Sequence, residues 1–424
     1  MNDRTKISVI TVNYNGKHFF PSFFQSILAT FRDHLEIEII VVDNGSTDGS
    51  VRFAKETYPD VKIIQNDVNN YTKAINLGIR NARGDYITIV NNDTEVHPDW
   101  LQRLWETFQT DEKIGAVQSK ILFSDRATLN SAGGEEVETF YFKGIGFGEQ
   151  DVGQYNEVRK IDYFSGGSVM LRRQCLEDVG AFDEDFIMFF EDIDFSIGAR
   201  KKGWKIFYCP RSIVYHKYHG TSSNELCDYF CTRNRFLFIA KHFPLRLAES
   251  IKGSHFYLKG EFSLLYHSLL EAVRKLVQYH GSRVVTDTLH RLKKELTEIF
   301  GILGAHNFFP QLELMLGLRK IRVGVYDHAF HFAGGGQRYV AFMAQCLQEK
   351  YDITYIANKD VTLEQYKDWF NIDLSKCRLK IIKIPFFERL NRYLIDEGIV
   401  LNEKKNPFNI ISKETLKYDV FINA

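Results

Sequence analysis

Three carboxylates fall within the hexapeptide Phe189-Phe190-Glu191-Asp192-Ile193-Asp194, set among aromatic and aliphatic side chains. Charges in such surroundings are costly unless paired, metal-bound or partly neutralised. An apolar wall also raises a carboxyl pKa toward the range of a general base. Helix capping by one of them and pairing of another with Arg200, Lys201 or Lys202 is the ordinary account, and the favoured one for Glu191 and Asp194. Upstream, Asn91-Asn92-Asp93-Thr94 offers the oxygen donors that Mg²⁺ or Mn²⁺ prefers, with Asp93 as the natural ligand. His216 could add a neutral nitrogen to the same cation. In Asp43-Asn44-Gly45-Ser46-Thr47-Asp48, the Asp43 carboxylate could accept from a base imide or a ribose hydroxyl, although the same residues are plain turn chemistry. Arg233 and Arg235 carry planar forked donors suited to a diphosphate, or merely line an exposed helix face.

These residues sit where an α/β chain binds ligands. From Lys6 to about Lys120, β-branched runs alternate with amphipathic segments. Strands are expected at Ile7 to Val12, Glu38 to Val42, Val61 to Gln65 and Tyr86 to Val90, and helices near Phe19 to Phe31, Asp48 to Thr57 and Thr72 to Ala82. This rhythm predicts a parallel sheet with helices on its faces, whose ligands lie beyond the carboxyl ends of the strands. Asp43 and Asn91 to Asp93 follow directly on such ends. Trp100, Leu101, Leu104, Trp105 and Phe108 recur at helical spacing and read as core. Gly144, Gly146 and Gly148 lack the strand and helix of a dinucleotide site and read as a turn. Strands return at Lys205 to Tyr208 and Ser212 to His216.

With 54 Lys and Arg against 54 Asp and Glu, the chain has no net field of the kind that drives sequence-independent nucleic-acid binding. Its six cysteines form no C-x-x-C pair, as expected of reduced thiols, and Cys227 with Cys231 read as packing. No run of 18 apolar residues occurs, which argues against a membrane span, and no signal segment is read at the start. Residues 225–320 read as a helical segment with 14 Lys or Arg and 9 Asp or Glu, either a solvated linker or a basic face toward anionic lipid. At Ile321 a new strand, the loop Ala333-Gly334-Gly335-Gly336-Gln337 and a helix open a second α/β unit, expected to be a partial Rossmann-like domain over 321–424.

Eight ordered blocks resemble one family. They are Ile7-Ser-Val-Ile-Thr-Val-Asn-Tyr-Asn15, Val41-Val-Asp-Asn-Gly-Ser-Thr-Asp48, Ala74-Ile-Asn-Leu-Gly78, Gly84-Asp-Tyr86, Asn91-Asn-Asp-Thr94, Ser165-Gly-Gly-Ser168, Phe182-Asp-Glu-Asp-Phe186 and Phe190-Glu-Asp-Ile-Asp194. Together they resemble the family 2 glycosyltransferases of the GT-A fold, especially bacterial rhamnosyltransferase-like members, over roughly the first 240 residues. The resemblance implies a GT-A domain over 1–224. It implies that Asp43 contacts the nucleoside, with Thr11 and Asn13 lining that pocket and Asn91 and Asn92 beside it. It further implies that Asp93 is the metal-binding carboxylate of a DxD-like motif, with His216 completing the metal site, and that Asp192 is the general base. Asn91 departs from the family where many relatives carry a first acidic residue, and Asn70 where a glycine is common. The tail from Ile321 is similar to the amino-terminal half of a family 4 glycosyltransferase, which implies no independent activity for it.

The implied reaction is inverting, metal-dependent sugar transfer from a nucleoside-diphosphate donor, UDP- or dTDP-linked, to a hydroxyl of a glycan or lipid-linked acceptor in bacterial surface polysaccharide synthesis. The implied location is the cytoplasm, with peripheral contact on the inner face of the membrane. Alternatives are a non-catalytic glycan- or nucleotide-binding scaffold module, or a nucleotidyltransferase.

Overall fold

Short apolar runs that tolerate burial on both faces build the centre of the sheet. Strand β1 (Thr5–Asn13) lies between β2 (Leu35–Asp43) and β4 (Tyr86–Val90), parallel to both, and β3 (Lys62–Gln65) extends β2 in the same sense. Alternation along β1 sends Ile7 and Val9 into one core and Ile10 into the other. Helix α1 (Phe20–Leu28) buries Phe20, Phe23, Phe24 and Ile27, one helical face, and Pro21 is accommodated in its first turn. Each of those side chains is worth about 1.5–3 kcal/mol on full burial. Helices α2 (Ser50–Thr57) and α3 (Tyr71–Asn81) complete the crossovers, and the Asn70 side chain caps α3 by accepting from the Lys73 amide at 2.9 Å.

The structure is a computed structural model describing residues 4–31, 34–138, 140–217, 224–315, 320–326, 335–357, 360–382, 415 and 417–423. Beyond β4 the sheet is mixed, not wholly parallel. After β5 (Thr94–Val96), α4 (Trp100–Phe108) and β6 (Ile114–Phe123) come β7 (Leu129–Ser131), the hairpin β8 (Gly134–Glu138) and β9 (Tyr141–Gly144), and β10 (Arg159–Lys160). Strand β11 (Ser168–Arg172) inserts antiparallel between β4 and β6. Helices α5 (Arg173–Val179) and α6 (Glu191–Lys201) lead to β12 (Lys205–His216), one long strand with an irregularity between Cys209 and Ile213 where the sequence suggests two. The sheet order is β10-β12-β6-β11-β4-β1-β2-β3, with β5 on β12 and β7 on β6. As expected, Trp100, Leu101, Leu104 and Phe108 are core.

The chain divides into two compact units, Met1–Leu296 and Thr297–Ala424. The first contains α7 (Asn224–His242), α8 (His255–Leu258) and α9 (Phe262–Tyr279), so the helices expected to form a separate segment pack with the sheet domain. The division falls within α10 (Ser282–Met315). In the second unit β13 (Arg322–Tyr326), α11 (Gly335–Leu347), β14 (Asp352–Ala357), α12 (Glu364–Phe370), β15 (Arg378–Ile381) and β16 (Val420–Asn423) form a four-stranded parallel sheet ordered β15-β14-β13-β16. Ala333 and Gly334 of its glycine-rich loop lie outside the described residues. Among the described residues, no helix is long and apolar enough to cross a membrane.

Candidate active site

At the carboxyl edge of the parallel strands, the register pairs Asn13 with Asp43. The Asn13 amide nitrogen donates to Asp43 Oδ1 at 3.2 Å, Ser46 Oγ at 3.0 Å and Ser50 Oγ at 2.9 Å. Asn92 donates in turn to Asn13 Oδ1 at 2.8 Å. A side chain at position 16 would meet Asn92 Nδ2 at 2.3 Å, so Gly16 is required for this pair to form. Asp43 Oδ2 accepts from the Ser46 amide at 3.1 Å, and Asp48 accepts from the amides of Lys17 and Ser50. The turn is therefore pre-built before any ligand arrives. Thr11, one turn of the pleat below, is fully buried and its hydroxyl has no hydrogen-bond partner.

The second cluster is made by strand β5 returning along β12, which sets Thr94 opposite His216. His216 Nε2 lies 3.1 Å from Asp93 Oδ1 and 3.4 Å from the Asn91 amide nitrogen, while Nδ1 faces Asn130 Oδ1 at 3.1 Å. An oxygen at Nδ1 selects the tautomer with its proton there, leaving the Nε2 lone pair toward Asp93. Asp93 Oδ1, 3.1 Å from that nitrogen, accepts no aligned hydrogen bond. A buried carboxylate oxygen and an imidazole lone pair aimed at the same space fit a divalent cation. Among the described residues no group of three His, Cys, Asp or Glu converges on one point. Asp93 and His216 are the two side chains there that such a cation would meet, with its remaining positions left to water or phosphate oxygens.

The third cluster is the acid one. Ile187, Phe189 and Phe190 have φ of 62°, 64° and 70°, conformations that L side chains adopt at a cost of about 1–3 kcal/mol each. Helix α6 begins directly after them. Asp192 Oδ2 accepts from the Gly166 amide at 3.2 Å and Oδ1 from the Ile193 amide at 2.8 Å. Burial raises the Asp192 pKa to about 6 against the pull of those two amides. Glu191, beside it, is pushed well above the carboxylate range by burial and then by the Asp192 charge, and its Oε2 has no partner. Asp194 pairs with Lys241 at 2.7 Å and His242 at 2.8 Å of α7, not with the expected Arg200, Lys201 or Lys202.

Tyr71 joins the clusters. Its hydroxyl donates to Asn91 Oδ1 at 3.2 Å, and its pKa is raised by burial and then by the charges of Glu191, Asp192 and Asp93. A methyl placed on Gly166 would stand 3.7 Å from Glu191 Oε1, 3.9 Å from Asp192 Oδ2 and 3.9 Å from the Tyr71 hydroxyl. Gly166 therefore keeps open the space that all three line.

Asn13, Asp43, Asn91, Asn92, Asp93, Asp192 and His216 are thus brought to one edge of the sheet, with Thr11 beneath. Arg233 and Arg235 are not available there as a diphosphate clamp. Arg233 is buried and donates to Glu271 at 2.6 Å and to the Asp185 carbonyl at 2.9 Å. Arg235 is buried against Tyr141, 4.1 Å from the ring centre, and donates to the Phe140 carbonyl. The packing of α7 on α9 and on the β8–β9 hairpin, invisible in the sequence, takes both guanidinium groups. Sequence reasoning missed Tyr71 and Asn130, isolated residues with no motif to mark them.

Residues 8–180 match the sequence model of Glycosyl transferase family 2. The chain is 27% identical over 245 residues, 51% of its own length and 77% of the relative's, to an N-acetylglucosaminyl-diphospho-decaprenol L-rhamnosyltransferase of Mycobacterium tuberculosis. It is 24% identical over 241 residues, 54% of its length and 74% of the relative's, to the low-salt glycan biosynthesis hexosyltransferase Agl10 of Haloferax volcanii. A solved structure, S. aureus TarS 1-349 in complex with UDP-GlcNAc, is similar with a TM-score of 0.45 at 17% identity, over 74% of this chain and 92% of that one. Asp192 and His216 lie beyond the stretch 8–180 that the family model matches. The chain carries a glycosyl transferase family 2 domain over residues 8–180 and is a glycosyltransferase.

Proposed function

We propose that the chain moves a sugar, with inversion, from a nucleoside-diphosphate donor to a hydroxyl of a glycan or lipid-linked acceptor. The relatives named above are described as acting in lipid-linked or glycan assembly, which supports that acceptor class. The observation that carries the reading is the continuous line of contacts from Asp43 through Asn13 and Asn92 to Asp93 and His216, and through Asn91 and Tyr71 to the space that Asp192 and Gly166 line.

Inverting transfer needs a base on one side of the anomeric carbon and a charge sink on the other. Asp192, with its pKa near 6, is largely ionised at neutral pH and basic enough to take the acceptor proton as the hydroxyl attacks. Asp43, Asn13 and Thr11 hold the nucleoside end. Asp93 and His216 would hold Mg²⁺ or Mn²⁺, which when bound stabilises the departing diphosphate. Cytoplasmic work against the inner membrane face is part of the same proposal, given the acceptor class.

The test is Asp192→Asn assayed for nucleoside-diphosphate release and sugar transfer. The expected loss is about 10²–10⁴-fold in kcat, the usual worth of general base catalysis. Binding of UDP with Mn²⁺ should survive it, since Asp192 lies on the acceptor side. Unchanged turnover in this variant would remove the base and with it the mechanism.

A further inference from the structure

Something must hold the unfavourable loop that delivers Asp192. Asn234, wholly buried on α7, places Nδ2 at 2.8 Å from each of the carbonyl oxygens of Phe186, Met188 and Phe189. Its amide has two protons for three acceptors, so at least one is shared. Arg233 Nη1 donates to Asn234 Oδ1 at 2.6 Å, which fixes the oxygen end and turns the NH₂ end toward the loop. Arg233 is itself anchored by Glu271 on α9. From the opposite side, the Thr72 amide and hydroxyl at the start of α3 donate to the Ile187 carbonyl at 3.0 Å and 3.1 Å. Every carbonyl from Asp185 to Phe189 thus accepts a hydrogen bond from α7 or α3.

We propose that Asn234 is a positioning residue for the transfer step, holding Ile187, Phe189 and Phe190 at their positive φ so that Asp192 meets the Gly166 amide with its carboxylate aimed into the site. This rests on Asp192 being the base. Without the amide, the Met188 and Phe189 carbonyls lose this donor, the Phe186 carbonyl keeps only the Met188 amide, and the loop relaxes to ordinary negative φ. The first turn of α6 then shifts and Asp192 leaves Gly166. The titratable groups that face Asp192 are Glu191 on its own helix, Tyr71 of α3, Tyr163 ahead of β11 and Cys231 of α7, and none is altered by a change at 234.

The experiment compares the full chain with Asn234→Ala and Asn234→Ser. Nucleoside-diphosphate release from UDP-glucose, UDP-N-acetylglucosamine and dTDP-rhamnose with Mn²⁺ is followed from pH 5 to 9, and UDP binding by calorimetry. The pH dependence of unfolding is measured for each chain with and without Asp192→Asn, because that difference reports the titration of the Glu191–Asp192 pair without turnover. N234A is expected to lower kcat by about tenfold or more while UDP affinity stays within about threefold. The Asp192 titration is expected to move from near 6 toward the ordinary carboxylate range, with N234S in between. A kcat within about twofold of the parent, or an unmoved titration, overturns the proposal. Should N234A not fold, N234S carries both readouts. Should none of the three donors be turned over, the titration alone decides. If D192N turns over donor as fast as the parent, the base assignment has failed, whatever the 234 variants do.

Discussion

Glu191 and Asp192 are neighbouring carboxyls with opposite tasks, and their surroundings separate them. Asp192 receives two amide donors and titrates near 6, whereas Glu191 has an orphaned Oε2 and is driven higher by burial and by its neighbour's charge. Glu191 is therefore held protonated in the folded chain at a pH where it is ionised in the unfolded one. The folded state binds the extra proton, so stability falls as pH rises from the unfolded value of about 4.3 toward the raised folded one. Glu191→Gln removes that slope. From pH 5 to 8 the difference in unfolding free energy is expected to move in favour of the Gln variant. Urea unfolding across that range measures it, and a difference constant with pH counts against the neutral carboxyl. Such pairing was half legible in the sequence: three carboxylates among aromatics announce a perturbed site, but which one would be left without a donor depends on Gly166 and Tyr71 arriving from other elements.

At the scale of elements, α9 stiffens the loop before α6 through a buried cation. Lys275 is 1% exposed and reaches Asp183 at 2.9 Å and Asp185 at 2.6 Å, while Lys241 of α7 also reaches Asp183 at 3.0 Å. Burial works to raise the Asp183 pKa, but the two ammonium groups outweigh it and carry the value down to about 2. The stability this contributes is present above the unfolded value of about 3.9 and is lost as pH falls from there to about 2. Lys275→Met leaves two carboxylates with less compensation and is expected to cost about 3–5 kcal/mol, the usual price of breaking a buried pair on one side. Its acid unfolding should begin at higher pH than the parent's, because Lys241 and the Tyr279 hydroxyl hold Asp183 ionised less firmly than they do together with Lys275. Denaturant midpoints between pH 2 and 7 check both. A loss under about 1 kcal/mol would place Lys275 among surface pairs of little worth. Lys275 lies in a stretch that reads from sequence as an amphipathic helix with a basic surplus; that its cation points inward follows from α7 and α9 packing together.

For the whole molecule, the strand-end residues were legible because a βα repeat fixes where its carboxyl edge lies, and Asp43, Asn91 to Asp93 and His216 all lie at strand ends. The left-handed conformations at Ile187, Phe189 and Phe190 were not legible, since they contradict local preference and persist only under tertiary constraint. The same constraint bears on where the catalytic unit ends. Sequence periodicity puts the boundary at 224, before α7, yet Asn234, Lys241 and Lys275 hold the loop that carries Asp192, and the chain divides after Leu296. A chain of residues 1–296 is therefore expected to bind UDP with Mn²⁺ and to release nucleoside diphosphate from donors at about the rate of the full chain. A chain of residues 1–224 keeps Asp43, Asp93, His216 and Asp192 but loses every α7 and α9 contact. It is expected to lose most of its turnover, with nucleotide binding the less affected of the two because Asn13 and Asp43 are secured by the β1–β2 register. Thermal shift with UDP and Mn²⁺ beside donor turnover tells the cases apart. Equal turnover by the shorter chain would mean that α7 and α9 merely cover the domain, and that the loop before α6 sets Asp192 unaided.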